Sequence, residues 1–264
     1  MRHLKIILNW IAVTTYLVVV FGFISEKNHT RICHIVKVNI LDSTQTGFIQ
    51  PDDILKLLNK NRVETIGRPV SEINLKKLEN MLDNQGTIKN AEVYCTNSGT
   101  LNIDILQRRP LVRIIDKAGK SYYLDAGGTI IPLSEKYSPL ILIANGNITE
   151  PFDPDTTNNI LKVEKENLSK QQKTIYDLFE LSKYITSNEF WNAQIEQVYV
   201  NDDSEFEIIP RVGPHIIIFG TIDDYREKFD KLMTFYKEGL NKVGWNAYLT
   251  INLKYKNQIV CTKN

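Results

Sequence analysis

The sequence predicts an α+β protein with a single N-terminal transmembrane helix, a small β-α-α-β-β domain, and a larger β-rich domain with flanking helices. Three observations predict it. Residues 6–24, from Ile6 to Ile24, hold no charged side chain. Residues 33–109 pass from alternating apolar spacing to helical spacing and back. From Pro110 onward, short apolar runs recur between turn signals such as Asp125-Ala126-Gly127-Gly128.

The apolar run comes first. A helix over residues 6–24 would be about 28 Å long, close to the hydrocarbon thickness of a bilayer. Arg2 and Lys5 precede it, so residues 1–5 form a short tail on the cytoplasmic side. Trp10 and Tyr16 are aromatic, and of the two Trp10 sits near an interface. A cleaved signal peptide is the competing reading, with Val20-Phe21-Gly22 at the cleavage site. Signal h-regions usually run about 7–15 residues, shorter than this stretch, which favours an uncleaved anchor. Everything from the linker at residues 25–32 onward is then outside the cytoplasm.

The smaller domain follows. A strand starts at Cys33, and Pro51, Asp52 and Asp53 open a helix whose first turn suits acids. Ile54, Leu57 and Leu58 give that helix its apolar stripe. Asn74 is the N-cap of a second helix bearing Leu75, Leu78, Met81 and Leu82. Two strands close the unit, Ile88–Cys95 and Thr100–Gln107, joined through Asn97-Ser98-Gly99.

The larger domain occupies residues 110–264. Its predicted strands are Leu111–Ile115, Ser121–Leu124, Thr129–Pro132, Leu140–Ala144, Ile195–Val200, Glu205–Pro210, His215–Phe219, Tyr248–Lys254 and Gln258–Cys261. Helices are predicted over Lys170–Tyr184 and from a Thr221 cap to about Leu240. Residues 145–159 read as a polar loop.

Composition excludes several functions. The chain has 264 residues, 42% hydrophobic and 24% charged, which suits a folded protein. Its 32 basic and 31 acidic residues supply no concentrated positive field for nucleic acid. Cys33, Cys95 and Cys261 allow at most one bridge and read mostly as small strand residues.

Catalytic signatures are broken. Gly119-Lys120-Ser121 resembles the end of a phosphate loop, but Ile114 stands where that loop needs its first glycine. Four histidines show no ligand spacing. Asp153-Pro154-Asp155 has the spacing of a divalent-metal and sugar-nucleotide site, and a type II membrane glycosyltransferase using Asp153 and Asp155 is the alternative function. A calcium loop counted from Asp153 fails at Asn158, where glycine is required. A solvated acidic loop is the simpler reading. No catalytic residue, metal or cofactor is assigned, and no small-molecule substrate is expected.

Several motifs, in order, resemble the FtsQ/DivIB family of bacterial cell-division proteins, most closely its Bacteroidetes forms. The β-α-α-β-β unit resembles the family's POTRA domain. Gln107-Arg108-Arg109-Pro110-Leu111-Val112-Arg113 is similar to its interdomain junction, with Gln107 where Glu is common. Tyr123-Leu124-Asp125-Ala126-Gly127-Gly128 is similar to its hairpin. Gly213-Pro214-His215-Ile216-Ile217-Ile218-Phe219-Gly220 resembles its strand before a long helix, and Ile251-Asn252-Leu253-Lys254-Tyr255 a later strand, with Asn252 for the usual acid.

The resemblance implies a non-enzymatic division scaffold, periplasmic in bulk, that holds FtsB/FtsL-like proteins and helps control septal peptidoglycan synthesis. It implies partner binding at Tyr255, Asn257, Gln258, Ile259 and Val260. Physical reading of the C-terminus agrees, because a final strand commonly lies at a sheet edge with unpaired backbone groups. A partner strand adds there through main-chain hydrogen bonds.

Overall fold

The structure, a computed structural model, describes residues 10–19, 31–42, 47–149, 152 and 159–263. Residues 10–19 are helical (α1), with Trp10 and Tyr16 well exposed. Ile6 and Ile24, the ends of the expected span, lie outside the described residues. Among the described residues no helix is long and apolar enough to cross a membrane. The chain divides into two compact units at Gln107/Arg108.

The first unit has the order β1 (Ile35–Ile40), α2 (Pro51–Lys60), α3 (Leu75–Asp83), β2 (Ile88–Cys95) and β3 (Thr100–Gln107). β3 is central, parallel to β1 and antiparallel to β2. Local chemistry starts both helices. Pro51 occupies the first turn of α2, and the Gln50 N–H donates to Asp53 Oδ2 at 2.9 Å. The Lys77 N–H donates to Asn74 Oδ1 at 2.9 Å, so Asn74 caps α3 as its sequence position predicts. Ile54 and Leu58 of α2, Leu78 and Leu82 of α3, and Leu101, Ile103 and Ile105 of β3 are all buried and supply this unit's core. The expected strand start at Cys33 moves to Ile35. The Cys33 N–H donates to the Arg68 carbonyl, and the ladder begins where Ile35 meets Thr100, the first residue of β3.

The outer edge of β2 is covered by α3. The Ala91 N–H donates to Asp83 Oδ1 at 2.8 Å and the Val93 N–H to Glu79 Oε1 at 3.1 Å. Two carboxylates one helical turn apart thus satisfy alternate edge donors, which denies them to a passing strand. The Val93 hydrogen bond, helped by Lys76, holds the Glu79 carboxyl below its ordinary value of 4.5. A depressed carboxyl stabilises the fold above its unfolded-state pKa, and that contribution is lost as pH falls through the folded value. Glu79→Gln should therefore flatten the acid limb of the stability profile below about pH 4.5. Urea midpoints taken across that range check this; parallel wild-type and variant curves would contradict it.

The second unit is a nine-stranded sheet in the order β12-β11-β10-β9-β8-β7-β4-β5-β6. Its strands are β4 (Pro110–Ile115), β5 (Ser121–Asp125), β6 (Ile130–Ile131), β7 (Leu142–Gly146), β8 (Ile195–Val200), β9 (Phe206–Pro210), β10 (Ile216–Gly220), β11 (Tyr248–Asn252) and β12 (Val260–Lys263). Between β7 and β8 run α4 (Lys170–Ser187) and α5 (Glu189–Gln194); between β10 and β11 run α6 (Tyr225–Phe235), a π turn (Tyr236–Leu240) and the short α7 (Asn241–Val243). Alternate strand residues such as Val112, Ile114, Val198, Ile208, Ile217 and Ile251 form one buried face. Phe179 and Leu181 of α4 and Phe229 and Leu232 of α6 complete that core.

Two expectations are corrected here. Thr221 does not cap α6: its hydroxyl bonds Asp223, and the helix begins only at Tyr225, because Asp224 takes a left-handed conformation at φ 52°. The final strand is Val260–Lys263 rather than Gln258–Cys261.

Candidate functional site

The C-terminal edge is built from β10, α6, β11 and β12. β10 and β11 are parallel, with Ile216 beside Thr250 and Ile218 beside Asn252, and α6 makes the crossover. β12 returns antiparallel to β11, with Val260 beside Asn252, Cys261 beside Ile251 and Thr262 beside Thr250. A hydrogen bond of 2.9 Å joins the Thr250 and Thr262 hydroxyls across that pair. β12 is the outermost strand of the sheet, so its second edge has no neighbouring strand among the described residues.

The turn that delivers β12 is held from several sides. Asn252 Oδ1 accepts from the Lys254 N–H at 2.9 Å. Asparagine thus does here what a carboxylate would do, which explains how the departure from the usual acid is accommodated. Lys231 of α6 donates from Nζ to the carbonyls of Tyr255 at 2.8 Å and Leu253 at 3.3 Å. Asn257 sits at φ 64°, a left-handed conformation that asparagine tolerates well. Gly220 ends β10 at φ 78°, and a Cβ there would come within 2.9 Å of the Lys254 side chain. That close approach lets Lys254 cross β10 to reach Glu205 at 2.7 Å.

Of the five expected binding residues, only Val260 lies in the edge strand, and it is 44% exposed. Tyr255 is 49% exposed in the turn. Asn257 and Gln258 are exposed turn residues, while Ile259 packs partly against the core. Thr262 and Lys263 were missed by pattern reading because the strand starts two residues later than its apolar run suggests. Lys231 was missed because a lysine on a helix gives no sign of which carbonyls it will reach. Burial pushes the Cys261 thiol up, so it stays protonated, as a small strand residue should.

Asp153 and Asp155 lie outside the described residues. No group of three or more metal-ligating side chains occurs among the described residues, and no observation supports the glycosyltransferase alternative. His215 is buried; its Nε2 lies 3.1 Å from the Tyr236 hydroxyl, and burial lowers its pKa. It belongs to packing between β10 and the turn after α6.

Two motifs separated in sequence prove to be one structure. Arg108 of the junction reaches Asp125 of the hairpin at 3.0 Å, with both side chains mostly buried. The other Asp125 oxygen accepts from the Gly127 and Thr129 N–H groups and closes the turn.

Comparison with protein families matches residues 109–262 to the model described as FtsQ/DivIB, C-terminal related, which is more than half of the chain. The chain belongs to the FtsQ/DivIB family. Residues 31–106 match a POTRA-like domain, in agreement with the β-α-α-β-β order and the β1-β3-β2 sheet. Comparison with curated proteins finds no match. FtsQ/DivIB proteins are non-catalytic scaffolds of cell division associated with the septal membrane, and this membership gives the chain a scaffold role.

Proposed function

We propose that this FtsQ/DivIB protein is a single-pass scaffold, anchored by residues 6–24 with residues 1–5 in the cytoplasm and the domains at 33–109 and 110–264 in the periplasm. It recruits FtsB/FtsL-type partners at the septum by accepting one of their strands on β12, and so helps control septal peptidoglycan synthesis without catalysis of its own. The uncharged run from Ile6 to Ile24 supports the anchor. The observation that carries the binding reading is the outermost position of β12, placed by a turn that Lys231, Asn252 and Asn257 hold in one conformation. Strand addition draws affinity from main-chain bonds, so a preset edge lowers the ordering cost of binding.

A pull-down of the full chain with the periplasmic segment of an FtsB-like coiled coil tests this. Tyr255→Ala combined with Ile259→Lys is expected to abolish capture. Because Ile259 is partly buried, Tyr255→Ala with Val260→Lys is the parallel variant, since Val260 is exposed and its change should leave the fold intact. Capture unchanged in both variants would overturn edge-strand binding.

A further inference from the structure

A groove of about 640 Å³ lies between α6 with its following π turn and the residues that lead into β12. Phe235, Gly239 and Ile259 give it an apolar floor. Gly239 is required there, because a Cβ would come within 2.8 Å of the Phe235 ring. The rim is acidic. Asp230 and Glu238 border it, while the third charged neighbour, Lys231, has its ammonium on the carbonyls of Leu253 and Tyr255. Glu238 meets only the exposed Lys242 at 3.4 Å among the ion pairs described, and such a helix-surface pair is weak.

The groove is continuous with the strand edge, since Asn257, Gln258 and Ile259 line it and run straight into Val260. Side chains of a strand added to β12 alternate between two faces. Those on the helix-covered face would fall beside Cys261 and Ile259, over the groove. We propose that this groove is the specificity pocket for the incoming strand: it takes one large apolar side chain with a Lys or Arg two residues away on the same face, the base meeting Asp230 or Glu238. This rests on strand addition at β12 and specifies which strands are accepted. Main-chain pairing is indifferent to sequence, whereas a buried anchor with a complementary charge discriminates.

The test uses the full chain in detergent micelles and a display library of short random peptides. Selected peptides should carry an apolar residue two positions from a basic one. Asp230→Lys with Glu238→Lys, both at exposed positions, should weaken their binding about tenfold. N-methylating the peptide backbone removes strand donors and should also abolish binding. Loss on N-methylation with no response to charge reversal, and no apolar-basic pair selected, overturns the groove assignment and leaves strand addition standing. A response to charge reversal with none to N-methylation overturns the strand reading instead. Peptides that ignore both changes, or no selection at all, overturn both.

Discussion

Gln107→Glu should destabilise the POTRA-like unit by about 2–4 kcal/mol at neutral pH and recover much of that loss in acid. Gln107 is 1% exposed and ends β3. Its Oε1 accepts from the Ile49 N–H at 2.9 Å, and its Nε2 donates to Asp42 Oδ1 at 3.3 Å. The Gln107 N–H donates to that same carboxylate oxygen at 3.2 Å. An amide is the group that can accept from one side and donate to the other. Glutamate keeps the contact to Ile49 but sets a second carboxylate against buried Asp42. The new carboxyl would be held above its unfolded value of about 4.3 by that charge and by burial. The penalty is then complete above the folded pKa and disappears as pH falls below the unfolded one. Urea unfolding of the full chain at pH 7 and about pH 4 reads this directly. A variant midpoint equal to wild type at pH 7 would show that Asp42 does not require the amide.

Phe229→Ala is the second large effect, about 3–5 kcal/mol. Phe229 is fully buried at the centre of an aromatic cluster, with ring centroids 4.8 Å from Tyr184, 5.0 Å from Trp191 and 5.2 Å from Phe219. It fastens α6 to α4, α5 and β10 at once. Lys231 lies two residues further along α6, so a loosened helix also loosens the turn before β12. Phe229→Ala should therefore lower both the unfolding temperature and partner affinity, whereas Phe229→Leu should cost much less because it keeps most of the volume. A loss below about 1 kcal/mol for the alanine variant would contradict the cluster's role.

Some of this was legible in the sequence, for definite physical reasons. Ile54, Leu57 and Leu58, or Leu75, Leu78 and Leu82, repeat at helical spacing because one face must be buried, and pattern reading finds that. Asn74, Pro51 and the Asp125 turn act on groups within a few residues, so they too could be recognised. Strand order was not legible: β7 lies between β4 and β8, parallel to both, which only long-range packing decides. The late start of β12 depends on the left-handed Asn257, and the late start of α6 on the left-handed Asp224, conformations that most sequences avoid. The Lys231 clamp joins a helix to carbonyls more than twenty residues away. A solvated lysine and a clamping lysine look the same in one dimension.

The central claim is that partners are met at the outer edge of β12. Hydrogen exchange of the full chain, with and without the periplasmic segment of an FtsB-like partner, tests it most directly. Amides of Val260–Lys263 that face away from β11 should gain protection on binding, while β2, whose edge Glu79 and Asp83 already cover, should not change. Protection confined to the POTRA-like unit, with the β12 amides exchanging as in the free protein, would contradict the account.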